Sequence, residues 1–225
     1  MTEKLYEQWW ENNLGGGSYQ HGTDTYKAPT CEEFESWMGD KDSADRKFMR
    51  TLWGEFKTFL DAGCGACPEY FGLQSDFNEG KDYTGLDITP KLVEYNKSRG
   101  INCVQGSLNE IPFSDNSFDV ALSRHVVEHM AGIEKPLNEL IRVTKKQIIL
   151  CFFIDPLVNV TNSHIIKLDD QGTKNECHHN HYSSNVINEI LDNHPKVLDF
   201  KWISGGNLLL PSRSILNIEL GETNG

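Results

Sequence analysis

A glycine-rich turn that follows a short apolar segment is the first feature of this sequence that could bind a ligand. The segment ends at Asp61, and Gly63 and Gly65 then permit backbone angles that a side chain would exclude. Pro68 suits the first turn of a helix, where a missing N–H costs nothing. A glycine turn at the carboxyl end of a parallel strand is where an α/β sheet binds nucleotide-like ligands. The turn alone is a weak signal, because many strand–turn–helix units contain two glycines.

An acidic residue at the end of the next apolar segment strengthens this interpretation. Asp87 lies 22 residues beyond Gly65, the spacing at which a carboxylate accepts hydrogen bonds from ribose hydroxyls. A nicotinamide dinucleotide is disfavoured, because the third glycine of its G-x-G-x-x-G pattern would fall on Pro68. The two features together predict a nucleotide-type ligand that is not a dinucleotide.

Two other groups of residues could bind a metal ion instead. His125-Val-Val-Glu-His129 matches the inverted zinc-protease pattern, in which helical spacing directs two histidines at one ion. Cys64 and Cys67 could join Cys177 and the histidines up to His181 in a zinc site. Both patterns have simpler explanations, because the first segment directly follows a strand and the cysteine pair lies within the glycine turn. We therefore expect no bound metal.

The apolar pattern of the remaining chain predicts strands that alternate with helices, which indicates a parallel sheet covered on both faces. The unalternated apolar run at 147–154 is typical of a strand that is buried on both sides. Near the end, two strands joined by a loop could form an antiparallel edge. The predicted strands are 58–61, 82–88, 101–105, 119–123, 147–154, 196–202 and 213–220.

The N-terminal segment is polar, rich in aromatic residues and predicted to be helical. Thr30 and Glu33 have the spacing of a capping box, which marks a helix start. A later group with helical spacing predicts an amphipathic helix that leads into the first strand; it comprises Met49, Leu52, Trp53 and Phe56. We expect residues 1–56 to form a helical cap or lid, and residues 57–225 to form the ligand-binding domain.

The composition excludes several classes of partner. The chain has 225 residues, and 21 Lys and Arg against 33 Asp and Glu give a formal charge of -12, which repels nucleic acid. Arg46-Lys47 and Lys145-Lys146 are short cationic runs that we interpret as solvent-exposed. The sequence has no apolar N-terminal signal and no long apolar span, so we expect a cytoplasmic protein that does not bind membranes. Monomer and homodimer are both open.

Five motifs follow one another along the chain: Leu60-Asp-Ala-Gly-Cys-Gly65, Gly85-Leu-Asp87, Gln105-Gly-Ser, Ile111-Pro-Phe-Ser-Asp-Asn-Ser-Phe-Asp119 and Val126-Val-Glu-His129. In this order they resemble the class I S-adenosylmethionine-dependent methyltransferases, and in particular the ubiquinone-biosynthesis-like subgroup. The resemblance covers roughly residues 57 to 220. It implies a Rossmann-like, doubly wound sheet of about seven strands with an antiparallel C-terminal strand. It also implies methyl transfer from S-adenosylmethionine to a small organic acceptor.

The resemblance implies a role for individual residues. The turn would surround the methionine part and the ribose of the cofactor, through Asp61, Gly63, Cys64 and Gly65. Asp87 would hold the ribose hydroxyls, with Ile88 packed on the adenine. Ser107 and Leu108 would approach the adenine edge, and Ser123 would lie near the methionine part. If the acceptor must lose a proton, His125 is the first candidate base and His181 the second.

Two positions depart from the family pattern. Cys67, followed by Pro68, occupies the third small position of the glycine motif, and Ser107 stands where the family commonly has an acid that contacts the adenine amino group. A hydroxyl accepts a weaker hydrogen bond than a carboxylate does. These departures motivate the main alternative, a degenerate protein that binds S-adenosylmethionine without transferring its methyl group.

Overall fold

The computed structural model describes residues 18–21, 24–27, 30–37, 41–73, 80–154, 156, 162–167, 176–203 and 214–221. Two further features of the sequence lie outside these ranges: apolar residues with helical spacing at 5–10, which predict a first helix, and the glycine-containing loop at 205–207 between the last two predicted strands. The helices are α1 Cys31–Trp37, α2 Ala44–Arg50, α3 Pro68–Gly72, α4 Pro90–Ser98, α5 Glu134–Val143 and α6 Ser184–Asp192, with a 3₁₀ turn at Val127–His129. None of the described helices has the length and apolar character needed to cross a bilayer.

The strands are β1 Ser18–His21, β2 Asp24–Lys27, β3 Thr58–Ala62, β4 Asp82–Asp87, β5 Cys103–Gln105, β6 Phe118–Arg124, β7 Thr144–Cys151, β8 Asn162–Lys167, β9 Glu176–His181, β10 Val197–Ile203 and β11 Ile215–Leu220. Seven of them form one sheet in the order β10-β11-β7-β6-β3-β4-β5. Strands β3 to β7 are mutually parallel, and β11 runs antiparallel to both of its neighbours. The predicted doubly wound sheet with an antiparallel C-terminal strand is confirmed.

The apolar run of β7 contributes side chains to both faces of the sheet. Ile148 and Leu150 pack into a core that contains buried side chains of α5 and α6. Ile149 and Cys151 point the other way, into a core that contains Met49 of α2. Side chains alternate between the two faces of a strand, so an uninterrupted apolar run is what a strand covered on both sides requires.

The N-terminal segment contains more than helices. Strands β1 and β2 form an antiparallel hairpin that the sequence analysis did not predict. The capping box at the start of α1 is present, because Thr30 N donates to Glu33 Oε2 at 2.8 Å and Glu33 N donates to Thr30 Oγ1 at 3.2 Å. A second pair of strands, β8 and β9, forms another unpredicted hairpin outside the main sheet.

The amphipathic helix predicted before β3 is shorter than the spacing suggested. Helix α2 ends at Arg50, and the hydroxyl of Thr51 donates to the carbonyl of Phe48 at 2.7 Å. Trp53 therefore lies beyond the helix, where its ring makes an edge contact with Phe59 at 5.2 Å. Apolar residues of a connecting segment can reach the core without helical geometry. The spacing of apolar residues therefore placed the predicted end of the helix too far along the chain.

The fourth of the five sequence motifs, at residues 111–119, has a structural role. Arg142 of α5 donates to the carbonyl oxygens of Ile111 and Phe113 at 2.9 and 2.8 Å, and to Asp115 Oδ1 at 2.8 Å. Asp119 accepts hydrogen bonds from the backbone N–H groups of residues 57 and 58 at the start of β3. These contacts lie at the amino ends of β3, β6 and β7, opposite the edge where a ligand is expected.

We predict that Arg142→Met lowers the free energy of unfolding by roughly 2 to 4 kcal/mol, because several acceptors lose a charged donor. Chemical denaturation followed by circular dichroism measures the change. Lys145→Met is the matched control, since that side chain is exposed and lies 3.8 Å from its nearest carboxylate oxygen, on Asp119. A loss below about 0.5 kcal/mol in Arg142→Met would show that the loop is held by other contacts.

Candidate active site

The carboxyl ends of the five parallel strands meet at one edge of the sheet. The chain passes outward from β3 to β4 and β5 and then returns to β6, on the other side of β3. A crevice opens at such a reversal of strand order, and open α/β sheets bind their ligands there. The glycine turn between β3 and α3 lies at this point.

The glycine turn is folded over the end of β4. The N–H groups of Gly63 and Cys64 both donate to the carbonyl oxygen of Leu86, at 2.7 and 3.0 Å. Gly63 has φ +82°, and a Cβ there would lie 2.4 Å from a methyl carbon of Val126. Only glycine combines this backbone angle with this close approach to the segment after β6.

Asp87 connects the turn to the end of β4. Its Oδ2 accepts the N–H of Gly65 and its Oδ1 accepts the N–H of Thr89, both at 2.9 Å. Burial raises the pKa of this carboxyl, and the two backbone hydrogen bonds oppose the rise. Each carboxylate oxygen has a second lone pair, so Asp87 can accept further hydrogen bonds from a ligand while it holds the turn.

Asp61 is buried beside an ion-pair network that reaches into the N-terminal segment. The hydroxyl of Tyr83 donates to Asp61 Oδ2 at 2.7 Å. The pKa of Asp61 is raised to about 7: burial and the nearby charge of Glu69 raise it, whereas the Tyr83 hydrogen bond and Arg46 lower it. Arg46 of α2 forms a buried ion pair with Glu69 at the start of α3. The interpretation of Arg46 as solvent-exposed is therefore wrong, although its neighbour Lys47 is exposed.

Two predicted residues lie at the end of β6. Ser123 is buried, and its hydroxyl oxygen has no hydrogen-bond partner among the described atoms. His125 follows the strand with φ +59°, an unusual backbone angle for a residue with a side chain. Its Nε2 lies 3.8 Å from Cys151 Sγ at the end of β7, and its ring makes an edge contact with Phe153. Both residues thus occupy the carboxyl edge.

The inverted zinc-protease interpretation of residues 125–129 is not supported. The segment is a strand end followed by a three-residue 3₁₀ turn, so it lacks the helical spacing that would direct both histidines at one ion. Glu128 instead accepts the backbone N–H groups of Phe153 at 2.5 Å and Ile154 at 3.3 Å. In the described part of the chain, the only potential metal-ligating group is a different one, formed by cysteines.

The residues predicted to surround the adenine lie around β4 and β5. Ile88 is half-buried, and its carbonyl accepts a hydrogen bond from the Gln105 side chain at 3.3 Å. The hydroxyl of Ser107 accepts the N–H of Asn109 at 2.9 Å, which shapes the loop after β5. Leu108 is buried in the core, so its contact with a ligand would need its backbone or one edge of its side chain.

His181, the second candidate base, ends strand β9. The residues on either side fix its position: Asn180 donates to the carbonyl of Met130 at 2.5 Å, and the Tyr182 hydroxyl donates to the carbonyls of Val127 and Met130 at 3.0 Å. The β9 end therefore contacts the turn that follows His125. For residues 177–179, part of the hypothetical zinc site, the structure describes the backbone and not the side chains.

The sequence analysis missed Arg46, Tyr83 and Cys103 as neighbours of the site. Cys103 starts β5 opposite Gly85 in the strand register, and Gly85 lies opposite Asp61. The strand register thus brings residues 61, 85 and 103 into one row. A comparison of side-chain direction along the three strands could have found this row, but no spacing within a single segment indicates it.

The comparisons with known proteins agree with this geometry. Residues 60–152 match the family described as "Methyltransferase domain". A 2-phytyl-1,4-naphtoquinone methyltransferase from Nostoc sp. is 27% identical over 129 residues, which cover 52% of this chain and 56% of that protein. A malonyl-[acyl-carrier protein] O-methyltransferase from Erwinia billingiae is 38% identical over 87 residues, 38% of this chain and 34% of that protein. The chain thus spans about half or less of the length of these curated relatives.

Solved structures show the same fold at low sequence identity. A protein from Listeria monocytogenes, described as a candidate S-adenosylmethionine-dependent methyltransferase, superposes with a TM-score of 0.60 at 12% identity. The superposition covers 80% of this chain and 99% of that one. An S-adenosylmethionine-dependent methyltransferase from Methanosarcina mazei gives 0.57 at 16% identity, over 77% and 96%. Residues 60–152 thus match a methyltransferase domain, and the chain has the fold of S-adenosylmethionine-dependent methyltransferases, as the order of motifs predicted.

Two buried carboxyls at this edge predict a pH dependence of stability. Burial raises the pKa of Glu128, like that of Asp61, to about 7. Between about pH 4 and pH 7 the folded chain binds protons that the unfolded chain has released. The free energy of unfolding therefore falls as the pH rises from about 4 to about 7, and it levels off above that range.

We expect the free energy of unfolding to fall by about 1 kcal/mol or more from pH 5 to pH 8, and Glu128→Gln to flatten this slope. Denaturant titrations at several pH values measure it. Glu110→Gln, at an exposed position, is the control and leaves the slope unchanged. Stability that rises over this range in the wild type would contradict the assignment.

Proposed function

We propose that this chain transfers a methyl group from S-adenosylmethionine to a small organic acceptor at the carboxyl edge of the sheet. The observation that carries the proposal is the connection between the glycine turn and Asp87, through the Gly65 N–H at 2.9 Å. It aligns the turn backbone with a carboxylate at the reversal of strand order, which is the arrangement a ribose-bearing ligand needs.

The charge of the site supports S-adenosylmethionine over a phosphate-bearing ligand. The edge is acidic, with Asp61, Asp87 and Glu128 all buried there, and a sulfonium cation is favoured beside such groups. A diphosphate would need N–H groups at the start of α3, but Pro68 lacks one and Glu69 adds a negative charge. The same residues therefore favour the cationic cofactor and disfavour a dinucleotide.

We assign the cofactor contacts as the sequence predicted them. Asp61, Gly63, Cys64 and Gly65 would line the methionine and ribose part, and Asp87 would accept the ribose hydroxyls. The adenine would lie between Ile88 and the loop that contains Ser107 and Leu108. The buried hydroxyl of Ser123 lacks a hydrogen-bond partner within the described chain, and it would form a hydrogen bond with the methionine part of the cofactor.

S-adenosylmethionine supplies an electrophilic methyl group, and its displacement is in line, so the protein mainly positions the acceptor. His125 is the residue we propose as proton acceptor where the acceptor group needs one. It is half-buried, lies at the end of β6, and is held by a backbone hydrogen bond to the Cys151 carbonyl at 2.8 Å. His181 enters from the β8–β9 hairpin and is the alternative base.

The acceptor is proposed to be a small organic molecule, as in the ubiquinone-biosynthesis-like subgroup. The relatives are named for a naphthoquinone and for a malonyl group on a carrier protein. Residues 1–56 are proposed to cap the site. The Arg46–Glu69 ion pair supports this, because it attaches α2 to the helix that follows the glycine turn.

The main alternative is a protein that binds S-adenosylmethionine without transferring the methyl group. Cys67 supports it, since it adopts φ +56° where glycine would be unstrained. An assay for release of S-adenosylhomocysteine, run with quinol, thiol, amine and carboxylate acceptors, separates the two functions. Release that requires one acceptor class supports transfer, whereas binding by calorimetry without release from any acceptor supports the alternative.

We predict that Asp87→Asn weakens binding of S-adenosylmethionine by about tenfold or more, because ribose hydroxyls lose a charged acceptor. Isothermal titration calorimetry measures the change. Asp82→Asn is the matched control, since Asp82 begins the same strand at the opposite edge and is exposed. Equal affinity in the wild type and Asp87→Asn would show that the ribose lies elsewhere.

We predict that His125→Gln lowers kcat at least tenfold with an acceptor that must lose a proton, while the cofactor dissociation constant changes less than twofold. The pH profile of kcat should lose its acidic limb in this variant. His181→Gln tests the second candidate in the same assay. His194→Gln, on the loop after α6, is the control and should retain activity. Full activity in both test variants would exclude a histidine base.

A further inference from the structure

Three cysteine side chains meet beneath the glycine turn. The sulfur atoms of Cys64, Cys67 and Cys103 all lie within 4.8 Å of one another, and those of Cys64 and Cys103 are 3.6 Å apart. All three residues are buried, with at most 2% of their surface exposed. We refer to these three residues as the thiol cluster.

The thiol cluster depends on a glycine of the strand between its members. Cys64 and Cys67 come from the turn after β3, Cys103 comes from β5, and Gly85 of β4 lies between them. A Cβ on Gly85 would lie 2.8 Å from the Cys64 sulfur and 3.3 Å from each of the other two. The space that the missing side chain leaves is thus bordered by all three sulfur atoms.

The surroundings of the thiol cluster favour a cation. Two buried carboxyl groups, Asp61 and Asp87, flank the glycine turn that carries Cys64 and Cys67, and negatively charged groups favour a nearby cation. The amide of Asn96 donates to the Cys103 sulfur at 3.7 Å and to the Gly65 carbonyl at 2.8 Å. Apolar side chains among the three sulfur atoms would form no favourable interaction with these polar groups, whereas a cation would.

We propose that the thiol cluster is a binding site for one soft metal ion, with Cu(I) as the ion that its chemistry favours. A metal–sulfur bond of about 2.3 Å places three sulfur ligands roughly 4 Å apart, close to the spacing present here. Thiolate ligands select Cu(I), whereas a structural zinc site takes four ligands. No fourth His, Cys, Asp or Glu joins the group among the residues that the structure describes.

Binding would release a proton from each thiol that becomes a ligand and would form three sulfur–metal bonds without oxidation of sulfur. The ion would connect the turn after β3 to β5 directly beneath the Gly65–Asp87 hydrogen bond. The site shares Cys64 with the proposed cofactor contacts: the backbone of Cys64 would line the cofactor, whereas its side chain packs into the core with Cys67 and Cys103.

The test uses the full chain, reduced and handled without oxygen, with Cu(I) supplied from a chromophoric chelator that reports its release. We expect the wild type to remove one Cu(I) per chain from the chelator. Cys64→Ser, Cys67→Ser and Cys103→Ser should each lower the affinity at least tenfold, and Cys31→Ser, outside the cluster, should leave it unchanged. Wild-type affinity in any of the three cluster variants would overturn the proposal.

A second measurement on the unaltered chain covers variants that fail to fold. Alkylation in mild denaturant, followed by peptide mass spectrometry, should label Cys64, Cys67 and Cys103 in the metal-free chain, and Cu(I) should protect all three together while Cys31 reacts. Protection of fewer than these three would overturn the proposal. So would a chain that takes up no Cu(I) and instead loses two mass units to a disulfide within the cluster when treated with a peroxide.

Discussion

The carbonyl oxygen of Leu86 accepts two N–H groups from the glycine turn, and the site depends on this contact. It bends the chain after β3 across the end of β4, so that Gly65 meets the Asp87 carboxylate. The bend requires Gly63, because a side chain there would collide with Val126 of the segment after β6. These backbone contacts hold the ends of three strands together, and they thereby fix the positions of the side chains at this edge.

The acidic groups at this edge need compensation, and the N-terminal segment supplies part of it. Asp61 and Glu69 are both buried close together, a combination that raises the pKa of Asp61. Arg46 reaches them from α2 and pairs with Glu69. A buried carboxylate that lost this partner would be left uncompensated, which is strongly unfavourable. Helix α2 is therefore tied electrostatically to the helix that follows the glycine turn.

The amino and carboxyl edges of the sheet differ in how their polar groups are hydrogen-bonded. At the amino edge, Arg142 and Asp119 satisfy backbone groups of the loop before β6 and of the start of β3. At the carboxyl edge, polar groups such as the Ser123 hydroxyl are buried with capacity for further hydrogen bonds. The motif at residues 111–119 thus stabilises the sheet at its amino edge, opposite the glycine turn.

The sequence by itself determined the order of strands and helices of the main sheet, the capping box of α1 and the position of the glycine turn, because these depend on local periodicity and on glycine backbone freedom. Only the tertiary structure decided that Arg46 is buried beside an exposed Lys47, that Cys103 joins Cys64 and Cys67, and that residues 125–129 form no helical metal motif. These outcomes depend on which residues of distant segments lie opposite one another. Strand register and packing set that juxtaposition, and neither is encoded in the spacing of any one segment.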